Sequence, residues 1–162
     1  MLPEAVDRRY RLAKVDVDLI RFPELHAQAA AAEAPRAREL LTDALKLVRG
    51  RPFADVDYPW TPMISARVER QIAEAAQRLA LLSREARDRD ATRWAAEQGL
   101  AGLTQPDARL LGFVLYAGAA QGPSELTHAW SEATARCAAV GDVPGEELVA
   151  LYDRLRTAQE RF

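Results

Sequence analysis

The chain has 162 residues with 49% hydrophobic and 28% charged side chains, a composition that supports a buried core and excludes a polar disordered chain. Its 24 acidic residues outnumber 22 basic ones, for a formal charge of −2, whereas a domain that lives on phosphate contacts carries a basic excess. One cysteine, Cys137, and two histidines, His26 and His128, leave no disulfide and no zinc ligand set.

A lone thiol fits a reducing compartment. The start, from Met1 to Asp7, lacks a basic n-region and an apolar h-region, and no apolar run is long enough to cross a bilayer. The expected location is the cytoplasm, with no membrane contact by this chain. All of the basic residues except Lys14 and Lys46 are arginine, and alanine is abundant. Both favour helices.

In chain order, Tyr10 to Asp18 alternates apolar and polar side chains and reads as a short strand or extended arm with nothing obvious to pair with. Residues 1–15 are therefore assigned to an arm and residues 16–162 to a helical domain. Asp16 or Asp18 is placed to cap a first helix through Phe22, Leu25 and the alanines 29–32, with Pro23 limiting its regularity. Ala34-Pro35 opens a second helix carrying Leu41, Leu45 and Val48, and Gly50 is placed to end it. Residues 51–62 form a long loop punctuated by Pro52, Pro59 and Pro62 and holding Phe53, Tyr58 and Trp60. Burying two such rings contributes several kcal/mol at about 25 cal/mol per Å².

A long helix follows from Met63 to Arg87, with Ile64, Val68, Ile72, Ala75, Leu79 and Leu82 stepping by three or four. The spacing predicts further helices from Asp90 to Leu100, ended by the stretch from Gly99 to Pro106, and from Asp107 to Ala120, apolar on nearly all sides. Gly122-Pro123 starts another through Leu126, Ala129, Trp130, Ala133 and Cys137; the last follows Pro144 with Leu148, Leu151, Tyr152 and Leu155 inward. The expected fold is all-α: about seven helices as stacked antiparallel pairs in a tetratricopeptide-like right-handed superhelix. Pro106 and Pro144 lie about 38 residues apart, against about 34 in the standard repeat.

No catalytic constellation stands out. Asp55 and Asp57 read as a cation site or as loop caps and ion-pairing residues, but they lack the ligand number of a calcium loop. The serines occur in no Gly-x-Ser-x-Gly turn, and the glycines form no phosphate-binding pattern. Cys137 falls on an apolar stripe, as a small core residue does, and His128 sits beside one, at its rim. Arg84, Arg87, Arg89 and Arg93 form either a basic patch or, with Glu85, Asp88 and Asp90 interleaved, a solvated face of surface pairs. Trp94 and Trp130 read as packing between helices; Trp60, in a loop, is left for a partner.

The segment Leu47-Val48-Arg49-Gly50-Arg51-Pro52-Phe53-Ala54-Asp55, then Trp60 and the Arg67-Val68-Glu69-Arg70 helix, resembles the bacterial transcriptional activator domain. The likeness continues at Leu115-Tyr116-Ala117-Gly118, at Gly141-Asp142-Val143-Pro144 and from Glu147 to Leu155, covering residues 16–157. It implies a helical module that follows a winged-helix DNA-binding domain, with Tyr10-Arg11-Leu12 as the tail of that domain and the recognition helix outside this chain. Two departures stand out: Ala129-Trp130 replaces an aliphatic-tyrosine pair, and Arg93 to Leu100 is closer to relatives that end membrane-anchored, peptidoglycan-binding LysM proteins.

The expected function is a noncatalytic protein-interaction module of a bacterial transcription regulator, without cofactor or metal. It would bind a protein partner, an attached domain or a second copy through Tyr58, Trp60, Arg67 and Arg70, and reach DNA only through the winged helix. The alternatives are a nucleic-acid-binding fragment, the cytoplasmic end of a LysM protein, and an enzyme whose pocket the sequence does not advertise.

Overall fold

The computed structural model describes residues 18–54 and 58–161, together with the backbone of residues 5–6 and 9–10. Seven α-helices occur among the described residues: α1 (Asp18–Ala31), α2 (Ala34–Lys46), α3 (Thr61–Glu85), α4 (Arg89–Ala101), α5 (Ala108–Gln121), α6 (Pro123–Ala139) and α7 (Glu146–Gln159). The fold is all-α, as the periodicity predicts. Within the arm, β1 (Ala5–Val6) and β2 (Arg9–Tyr10) pair antiparallel, Ala5 with Tyr10. Tyr10 is thus not left without a partner. Residues 11–17 of the predicted strand, including the candidate cap Asp16, and Asp55 and Asp57 lie outside the described residues.

Each helix packs on the next, α6 on α7 the least extensively. Odd-numbered helices also touch in series, α1 with α3, α3 with α5 and α5 with α7, so they share one layer, backed by the even-numbered helices. Helices with a single apolar stripe bury it against such neighbours. Leu41 and Leu45 of α2, Leu79 of α3, Leu110 and Leu115 of α5 and Leu126 of α6 are fully buried. Central α5 shows the least one-sided pattern because four helices surround it.

The caps explain where the boundaries fall. Asp88 accepts from the Ala91 amide at the start of α4 and from the Arg38 guanidinium of α2, so the helix begins at Arg89. Asp107 accepts from the Arg109 and Leu110 amides, while Gln77 of α3 donates to its other oxygen at 3.0 Å. Such caps satisfy orphan amides worth about 1 kcal/mol each, and here both caps are also pinned to a neighbouring helix. Gly50 does not cap α2: Leu47 does, and Gly50, at φ 148°, turns the loop beyond it. Asp18 is the first residue of α1, where its carboxylate meets Arg49 at 3.4 Å. Pro23 sits inside α1 and removes the amide that would bond to Leu19 one turn below.

Close approach requires small residues. Gly99 lies inside α4 rather than at its end, where a Cβ would stand 2.4 Å from that of Ala76. Ser83 of α3 is fully buried and its hydroxyl has no hydrogen-bond partner. An orphan buried hydroxyl costs about 1–3 kcal/mol. Ser83→Ala is therefore expected to stabilise the protein by about 1 kcal/mol, read as a higher urea midpoint at unchanged m.

Candidate functional site

An apolar concavity lies where α1, the segment after α2 and the first half of α3 converge. It encloses about 580 Å³. Phe22, Val48 and Ile72 belong to the buried core at its base, and Phe53 and Val68 line it. The spacing of α3 sets this up: Val68 and Ile72, four apart, fall on one stripe of the helix.

Hydrogen bonds hold the mouth of the groove. Gln98 of α4 donates to the carbonyls of Leu45 and Val48 at 3.2 and 2.7 Å, fixing the end of α2. Ser65 of α3 donates to the Pro52 carbonyl at 3.1 Å. Thr61, buried at the start of α3, donates to the Tyr58 carbonyl and accepts from the Tyr58 amide, so that Tyr58 is anchored through its backbone while its ring stays outside.

Three rings gather there. Tyr58 and Trp60 stack at 5.7 Å with planes 9° apart, and Phe53 meets Trp60 edge-on at 5.9 Å. Tyr58 is 57% exposed and Trp60 49% exposed, so the loop rings pack mainly against one another rather than into the core. Phe53 has φ 56°, a left-handed backbone that costs a bulky residue on the order of 1 kcal/mol. Its contact with Trp60 and its place in the groove hold it there. Leu19, Ile20 and Met63, at the starts of α1 and α3, are also exposed.

Of the predicted contact residues, the structure brings Tyr58 and Trp60 together and leaves Arg67 and Arg70 apart. Both arginines are exposed on α3, but Val68, Gln71 and Ile72 face the groove. Asp18 and Arg49, the charged groups lining the groove, neutralise each other. Sequence reasoning missed the contribution of α1 because nothing in the chain reveals which face of α3 it covers.

Other candidates take structural places. Arg93 joins α4 to α6, meeting Glu97 at 2.7 Å, Glu132 at 3.5 Å and Glu125 at 3.6 Å. The Glu97 hydrogen bond and these charges raise its pKa above the ordinary value, against the opposing effect of burial. Asp88, read from sequence as a partner for nearby arginines, instead caps α4 and binds Arg38. Arg89 donates to the Ala120 carbonyl at 2.7 Å. Cys137 is buried, and burial, with the Asp142 charge, pushes its thiol pKa up. His128 is exposed beside Glu132 at 3.5 Å. No group of three or more metal-ligating side chains occurs among the described residues, and no described helix is long and apolar enough to cross a membrane.

In comparisons with known proteins, no family model, no curated protein and no solved structure matches the chain.

Proposed function

We propose that the chain is a noncatalytic protein-interaction module, and that the face formed by Phe53, Tyr58 and Trp60 is where it associates with a second copy of itself. One observation carries this reading: a stacked Tyr58–Trp60 pair held half out of the fold and joined through Phe53 to an apolar groove whose charges are already paired. Tyrosine and tryptophan fixed in place contribute large contact area at little entropic cost, and they dominate binding hot spots. A self-complementary apolar patch closes on its own copy about a two-fold axis, which is the commonest oligomer symmetry. The segment from Leu47 to Asp55 with Trp60, which resembles the bacterial transcriptional activator domain, supports placing the module in a cytoplasmic transcription regulator.

Sedimentation equilibrium tests the reading. The wild-type chain is expected to self-associate, and Trp60→Ala to weaken that association by about thirtyfold without loss of helical circular dichroism. A wild-type monomer at every concentration up to about 100 µM would remove self-association. Loss of helicity in the variant would make Trp60 a core residue. Titration with duplex DNA at low ionic strength is expected to show no binding; binding with a steep salt slope would transfer the function to nucleic acid.

A further inference from the structure

A second concavity of about 550 Å³ opens in the same helix layer, between α5 and α7 and beside the C-terminal end of α3. It shares no residue with the aromatic groove. Gly112, Leu148 and Leu151 line its apolar part together with the rings of Phe113 and Tyr116. A Cβ on Gly112 would stand 3.3 Å from Leu151 Cδ2, so the missing side chain keeps the pocket deep.

Arg84, Arg109 and Arg154 line the same space, with Glu147 the one carboxylate among the residues lining it. Elsewhere arginines close on acids, as Arg36 does on Glu39 at 2.6 Å and Arg93 on Glu97 at 2.7 Å. The guanidinium groups of Arg109 and Arg154 have no such partner among the described residues. Arg84 lies over the Tyr116 ring at 4.9 Å and the Phe113 ring at 5.9 Å, which orders it and leaves its donors to a ligand. Three cations from three different helices thus converge on an apolar pocket, in a chain whose overall charge is −2. Guanidinium forks match carboxylates in two-point geometry, and complementary charge fixes register and partner choice.

We infer that this groove docks an acidic peptide segment of a partner protein. Its carboxylates lie on Arg84, Arg109 and Arg154, and an apolar side chain enters the pocket above Gly112. A peptide fits better than a nucleic acid strand: Glu147 repels phosphate, and the two rings that line the pocket, Phe113 and Tyr116, already lie under the Arg84 guanidinium rather than open for stacking on bases. The inference is independent of the aromatic face.

Fluorescence anisotropy at low ionic strength tests it on the full chain, using a short labelled peptide of glutamate and leucine. A glutamine-for-glutamate counterpart and a single-stranded oligonucleotide of equal charge are the comparison probes. The acidic peptide is expected to bind saturably, and Arg154→Glu and Arg109→Glu each to weaken it by about tenfold. The glutamine peptide should bind about tenfold more weakly as well, and Trp60→Ala should change nothing. Both arginines are exposed, so the reversals leave the core intact, and a second variant is in hand if one is misfolded. Binding that ignores both reversals, absence of saturable binding, or an oligonucleotide bound as tightly with the same arginine dependence would each overturn the assignment.

Discussion

Gly99→Ala is expected to destabilise the protein by about 2–3 kcal/mol, although in an exposed helix interior the same change gains about 1 kcal/mol from propensity. The sign is decided by what the new methyl group meets. It would stand 2.4 Å from Ala76 Cβ and 2.9 Å from Leu110 Cδ1. Ala76 cannot rotate away, because its Cβ is fixed to the backbone of α3, so α3 and α4, which form the most extensively packed helix pair, must separate. Gly112→Ala in α5 is the control: its methyl group meets only the flexible end of Leu151, at 3.3 Å. That change is expected to stay within about 0.5 kcal/mol of wild type. Urea unfolding of the two variants reads the contrast, and equal midpoints would mean that α3 and α4 accommodate the methyl group without separating.

Gly99 also marks the limit of what the chain tells directly. Along α3, the spacing of Ile72, Ala75, Ala76 and Leu79 fixes both the helix and its buried face, because a 3.6-residue repeat determines which side chains share a stripe. Asp107 and Gly122 mark the ends of α5 for equally local reasons, a side-chain cap and a backbone at φ 137°. A glycine within a helix carries two meanings, a terminator or a contact point. Only the neighbour that approaches it, here Ala76, decides between them.

The same division separates the two grooves. Tyr58 and Trp60 stood out because large rings in a proline-rich loop need a local reason, and the structure supplies it through Thr61 and mutual stacking. Arg67 and Arg70, on the helix that follows Trp60 in the family resemblance, lie exposed on α3 and outside the groove that Val68 and Ile72 line. The meeting of Arg84, Arg109 and Arg154 is beyond the reach of pattern, which groups Arg84 with Arg87, Arg89 and Arg93 instead. Each reads as an ordinary surface cation on its own helix, and only the packing of α3, α5 and α7 turns them toward one space.

Trp130→Ala is expected to cost about 3 kcal/mol and to spend most of that loss on α7. Leu148 is the one residue of α7 that is fully taken into the core. Leu151, Tyr152 and Leu155 are only partly buried against it; Tyr152 stacks on Trp130 at 4.5 Å with planes 15° apart, and Gln159 donates to the Ala119 carbonyl at 2.7 Å. An end helix with so little buried surface opens at lower free energy than the whole fold. Hydrogen exchange is therefore expected to accelerate throughout α7 in the variant while α2 and α3 keep their protection, and Trp130→Phe should fall between variant and wild type. Because α7 carries Arg154 and Leu151, acidic-peptide binding should weaken along with its protection. Uniform loss of protection across all helices would instead make α7 an inseparable part of the core, and the α5–α7 groove a fixed feature of the fold.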